Sequence, residues 1–221
     1  MNRHRRAGLL AAVLAAGGVC AYAGPGAVFE VDFSNPQLIP AQWKLEIHPD
    51  GSGHFTSVRG QAPRSQGEEI EPPDIDRDIR VSSQFASHAF KVVERKDMFR
   101  GGCDSHLNVA FQGMKKLTYS GPDGQGSCEF NYSRDSEIQA LGDAMVSVAT
   151  TLIEGARLQM LLQHDRLGLD RETEVLVESA ADGRAQEIGS IRDILERLAE
   201  DPAVLERVRR RARVLLSKAN D

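Results

Sequence analysis

Catalytic signatures are what this 221-residue chain lacks. It contains no G-x-S-x-G, H-E-x-x-H, S-x-x-K or C-x-x-C. Those gaps exclude the enzyme families that the words mark. They do not exclude every enzyme, because catalytic groups converge in space rather than in sequence. Positive charge is also short. Lys and Arg number 27 against 32 Asp and Glu, a formal net charge of −5. A general nucleic-acid or anionic-lipid binder needs a basic surface, so no nucleic-acid partner is expected. Beyond the first residues no apolar run approaches the roughly 20 residues of a membrane span. Cysteines number only three.

What is present begins with an address. Arg3, His4, Arg5 and Arg6 precede "AGLLAAVLAAGGV", and "AYA" follows at 21–23. A basic start, a short apolar run and a small-x-small site are the layout of a secretory signal peptide over 1–23. "GGVC" lacks the leucine and small-residue pattern of a lipidated cysteine at Cys20. "RRAGLL" is a poor twin-arginine match. Cleavage after Ala23 removes three arginines and no acid, taking the net charge from −5 to −8. The expected location is exported, periplasmic or extracellular, with no stable membrane insertion after cleavage.

Cys103 and Cys128 remain. Two cysteines in an exported chain most simply form one disulfide. It closes a loop of about 25 residues, worth about 3–4 kcal/mol in the chain-entropy model. "CDSH" offers Cys103, Asp104 and His106 as zinc ligands, but a lone Cys128 completes no zinc motif. Neither Cys103 nor Ser127 has an evident base and orienting partner, so no catalytic residue is assigned.

The first hairpin reads from "WKLEIHPDGSGHFTSV", 43–58. Apolar Trp43, Leu45 and Ile47 alternate with polar Lys44, Glu46 and His48, the period of a half-buried strand. Pro-Asp-Gly then supplies a turn closed by a glycine in the left-handed region. His48 should face Ser52, and Leu45 should pair with Phe55. That places Trp43, Leu45 and Phe55 on one face and Glu46, His48 and His54 on the other. "MKKLTYSGPDGQGSCEFNYS" repeats the pattern. To bring Leu117, Tyr119, Cys128 and Phe130 onto one face, its loop is expected to be one residue longer than the first. "NYS" at 131–133 is also a glycosylation sequon. The polar, proline-rich stretch 59–78 reads as a loop. "DIRVSS" (78–83) reads as a strand, "SSQFASHAFKVVER" as a helix capped by Ser82 or Ser83, and "HLNVAF" as the start of the next strand.

From Ser133 the period becomes helical. Ile138, Leu141, Met145, Val148 and Leu152 begin one helix of about 30 residues, about 45 Å long. Gly142, Ala149 and Ala156 lie seven apart beside that stripe and suit close approach of a second helix. Further helices are expected at 171–181 and 184–199, and from Asp201-Pro202 to about Ser217. Ile188, Ile191, Leu195 and Leu198 should fold back on Leu141, Met145, Val148 and Leu152, because "LGLD" is a short connection.

These elements predict an α+β protein. A disulfide-closed domain over 24–132 carries an antiparallel sheet of two PDG hairpins with one packed helix. An all-helical region follows over 133–221. Two surfaces suggest an interaction role. One is the small-residue groove of Gly142, Ala149 and Ala156. The other is the arginine cluster of the last helix, including Arg207, Arg210 and Arg211. The cluster also suits a solvated helix end, with Glu206 four residues before Arg210. The expected function is an exported module that contacts protein through its helical region, with no cofactor implied. The alternative is an enzyme, or a metal site built from Glu46, His48 and His54, since carboxylate and imidazole are ordinary zinc or copper ligands.

Overall fold

The computed structural model describes residues 26–61 and 73–219. The expected signal peptide, Cys20 and the middle of the 59–78 loop lie outside the described residues.

Six strands form one antiparallel sheet: β1 (Val28–Ser34), β2 (Gln42–Ile47), β3 (Ser52–Val58), β4 (Ile75–Arg80), β5 (Met114–Gly121) and β6 (Gly124–Phe130). Their order across the sheet is β4-β3-β2-β1-β5-β6. The α+β architecture matches the expectation, helices filling the C-terminal half. One of its two middle strands, β1, lies outside the expected hairpins, the first of which begins at residue 43. Phe29, Val31 and Phe33 of β1 are buried, with Glu30 and Asp32 between them on the other face.

The first hairpin has the expected register. Leu45 pairs with Phe55 and Glu46 with His54, and the His48 amide donates to the Ser52 carbonyl at 2.7 Å. Gly51 takes a φ of +81°, which a side chain would resist. The second hairpin corrects the expected loop. Gly121 pairs with Gly124, so only Pro122 and Asp123 lie between the strands. In the first hairpin Pro49, Asp50 and Gly51 do. The loop is one residue shorter, not longer. Either change flips the parity, so Leu117, Tyr119, Cys128 and Phe130 still share the buried face.

Two further boundaries differ. The fourth strand covers 75–80 rather than 78–83. "HLNVAF" is not a strand, and regular pairing resumes only at Met114. Its backbone turns locally instead: His106 has a φ of +52°, and Asp104 and Ser105 side chains accept from the amides of His106 and Leu107.

Helix α1 (Ser83–Arg95) is capped as expected, Ser82 Oγ accepting from the Phe85 amide at 3.1 Å. It buries Ala86, Ala89, Phe90, Val92 and Val93. Phe90 meets Tyr119 edge-on at 6.3 Å. Helix α2 (Ser136–His164) runs 29 residues, with Asp135 as its cap. Helices α3 (Gly168–Ala181), α4 (Arg192–Glu200) and α5 (Glu206–Lys218) follow. Asp201-Pro202 does not start a helix. Asp201 Oδ1 accepts from the Ala203 amide and its carbonyl from Val204, a turn that delays α5 to Glu206. Sheet and helices share one continuous buried cluster, from Phe29 and Leu45 through Met145 and Leu152 to Leu198 and Leu215.

Candidate functional site

Strand alternation puts Glu30, Asp32, Lys44, Glu46, His48, His54 and Thr56 on the polar sheet face, each partly exposed. Cross-strand pairing places Glu30 beside Glu46 and Glu46 beside His54. Two carboxylates side by side would repel. Lys44 lies between them, with Nζ 2.7 Å from Glu30 and 3.0 Å from Glu46. Those hydrogen bonds, Glu30 foremost, hold the ammonium well above the usual lysine range.

His54 reaches the other way. Its Nδ1 is 2.9 Å from Asp78 and its Nε2 3.0 Å from Asp76. Asp78 chiefly raises its pKa from the ordinary 6.5. His48 Nδ1 sits 3.3 Å from the Ala27 carbonyl. Glu46, His48 and His54 thus share a face as expected, but each is turned to a different partner. Among the described residues no three His, Cys, Asp or Glu side chains stand where they could hold a metal ion. Glu30, Lys44, Glu46 and His54 are thus held in ion pairs.

Cys103 and Cys128 form a disulfide with a Cα–Cα distance of 5.6 Å. No thiolate is left for the C-x-x-H zinc arrangement. The bond ties the start of a long connection to strand β6. Before it, Asp97, Met98 and Phe99 form a 3₁₀ turn with φ of +47°, +54° and +65°. Phe99 inserts into the core, 5.8 Å from Phe29. Beyond the disulfide, residues 105–113 are fastened at both ends. The Ser105 amide donates to the Tyr132 carbonyl at 3.0 Å. The Asn131 carboxamide donates to the Ala110 carbonyl and accepts from the Gln112 amide. This Asn131 is the sequon asparagine, here holding the segment down. Between the fastenings every residue from His106 to Gln112 is exposed. Leu107, Val109 and Phe111 are 45%, 41% and 50% exposed. The i, i+2, i+4 spacing that suggests a strand is the same spacing that sets these three apart on the surface.

The helical half closes on itself. Leu141, Met145, Val148 and Leu152 of α2 are buried, as are Ile188, Ile191, Leu195 and Leu198. The small residues divide. A side chain at Gly142 would meet Lys115 Cδ and Phe130, both at 2.9 Å, so Gly142 faces the sheet rather than a helix. Lys115 is 3% exposed, its Nζ 3.5 Å from Asp143 and 5.5 Å from the Phe130 ring centre. Ala149 is buried and Ala156 partly so. The glycine that admits the folded-back segment is Gly155, where a Cβ would lie 2.4 Å from Ile191 Cγ2. Thr151 Oγ1 fixes that segment by donating to the Gln186 carbonyl at 2.6 Å.

The arginine cluster is largely engaged within the chain. Arg207 and Arg211 both reach Asp170 Oδ1, at 2.5 Å and 2.7 Å. Arg211 also pairs with Glu174 at 3.0 Å. Glu206 pairs with Arg209 and Arg213, not with Arg210. Arg210 is exposed and has no ion pair among the described residues.

No described helix is long and apolar enough to cross a membrane. The chain matches no protein-family model, and no curated protein is significantly similar to it.

Proposed function

We propose that this chain is an exported, non-catalytic module of the cell envelope that binds a partner protein through residues 105–113. The observation that carries the reading is a segment fastened at both ends that leaves Leu107, Val109 and Phe111 exposed. Single exposed hydrophobes are ordinary, whereas three large ones within five residues of a fastened segment suit a contact surface. Full burial of such a side chain is worth about 1.5–3 kcal/mol, and each of these half-exposed ones forgoes roughly half of that. The disulfide and the Asn131 bonds hold the segment in place, which lowers the ordering cost of binding. The Val109 amide donates to the Leu107 carbonyl at 3.0 Å, so the three side chains stand on a turned loop, which suits an apolar cleft of the partner. The disulfide supports export, since such bonds persist in oxidising compartments. The polar sheet face supports an enzymatic or metal reading less well, because Glu30, Glu46 and His54 are already paired.

Affinity capture from the native envelope extract, comparing wild type with a Leu107→Ser/Phe111→Ser variant, tests this. Proteins held by wild type and lost by the variant support the segment as the contact. Equal capture by both refutes it.

A further inference from the structure

A groove of about 1100 Å³ runs between α1 and the 185–192 segment. It lies apart from residues 105–113 and shares none of their side chains. Its rim is cationic on a chain whose net charge is negative. Arg80, Lys91, Arg192 and Lys218 line it, with Glu187 the one carboxylate among its lining residues. Glu187 is already committed, accepting from the amide and hydroxyl of Ser82 at 2.5 Å and 2.9 Å. Arg192 is partly committed to Glu196 and to the Ala219 carbonyl. Lys91 and Lys218 are exposed and have no ion pair among the described residues. Arg80 donates only to the Asp50 carbonyl among the described partners, at 3.1 Å.

The remaining lining decides the class of ligand. Phe85, Ala144, Ala180 and Ile188 contribute apolar and small surface between the charges. A bare inorganic anion would leave that surface uncovered. Along α1 the lining extends from Gln84 to Lys91, about 10 Å at 1.5 Å per residue. An extended chain at about 3.3 Å per residue spans it with about three residues.

We propose that this groove binds a short acidic peptide segment of a partner protein. Its carboxylates pair with Lys91, Lys218 and Arg80, and its small apolar side chains cover Phe85 and Ala180. The excess of cations at the rim supplies both the attraction and the selectivity against basic segments.

The test uses the oxidised protein and a fluorescein-labelled peptide, Asp-Ala-Asp-Leu-Asp-Ala, read by anisotropy at low salt. The counterpart is Lys-Ala-Lys-Leu-Lys-Ala. Wild type should bind the acidic peptide and not the basic one. Lys91→Glu/Lys218→Glu should weaken the acidic peptide at least tenfold with an unchanged urea midpoint. If that pair disturbs folding, Lys91→Gln/Lys218→Gln gives the same readout with a smaller loss. Full displacement by millimolar inorganic phosphate would overturn the peptide assignment in favour of a simple anion site. No binding by wild type, or equal binding by the variants, would overturn the groove itself.

Discussion

A Cβ built on Gly126 would sit 2.1 Å from the carbonyl oxygen of Met98. Strand β6 and the left-handed turn at Asp97–Phe99 therefore meet backbone to backbone. Three consecutive non-glycine residues at positive φ are costly, about 1–2 kcal/mol each. Burial of Phe99, the Arg100 bond to the Gln125 carbonyl at 3.3 Å and the adjacent disulfide offset that cost. Gly126→Ala should destabilise the fold by about 1–3 kcal/mol through forced separation. Gly101→Ala, where a Cβ meets nothing within 4 Å, should change stability by less than about 0.5 kcal/mol. Urea midpoints of the two variants check this, and equal midpoints would mean that the turn is not seated on β6.

Ala149 is 1% exposed on α2, inside the folded-back helical half. Ala149→Leu adds volume that the surrounding side chains cannot absorb. A loss of about 1–3 kcal/mol in thermal or urea unfolding is expected. Unchanged melting with altered self-association would instead make that helix face an interface between molecules.

Much of the fold is legible in the sequence where one period governs a whole element. The β2–β3 register follows from alternation at Trp43, Leu45 and Ile47 and from the left-handed glycine at 51. Helix α2 follows from its 3–4 spacing. Strand β1 carries an equally clean alternation at Phe29, Val31 and Phe33, yet it is missing from the expected elements. Other features depend on partners distant in sequence. Alternation at Leu107, Val109 and Phe111 looks like a strand, but no neighbouring strand pairs with it and local side chains take its amides. Parity requires an odd shift in the second hairpin without fixing its direction. Asp201-Pro202 suits a turn as well as a helix start. The surfaces behave likewise. Glu46, His48 and His54 share a face by alternation, whereas the aspartates that engage His54 come from β4, beyond a loop. Arg207 and Arg211 look free until α3 brings Asp170 to them.

His54 makes the protein's stability depend on pH. Hydrogen bonding to Asp78, aided by Asp76, raises its folded pKa above the ordinary 6.5. The charged form is thus favoured in the folded state. Its contribution is fully present below the unfolded pKa and is lost as pH rises through the folded one. Proton NMR of the His54 ring should give a midpoint above 6.5, and Asp78→Asn should lower it. A midpoint at or below 6.5 in the wild type would show that the two aspartates do not engage the ring in solution.

Mass-spectrometric peptide mapping of the protein from its native cells tests the proposed export and the Cys103–Cys128 bond most directly. Without reduction, the expected result is a chain that begins at Gly24 and carries a linked Cys103–Cys128 pair. A chain that retains residues 1–23 with both thiols free would contradict it, and one that begins at an acylated Cys20 would replace the released form with a membrane-anchored one.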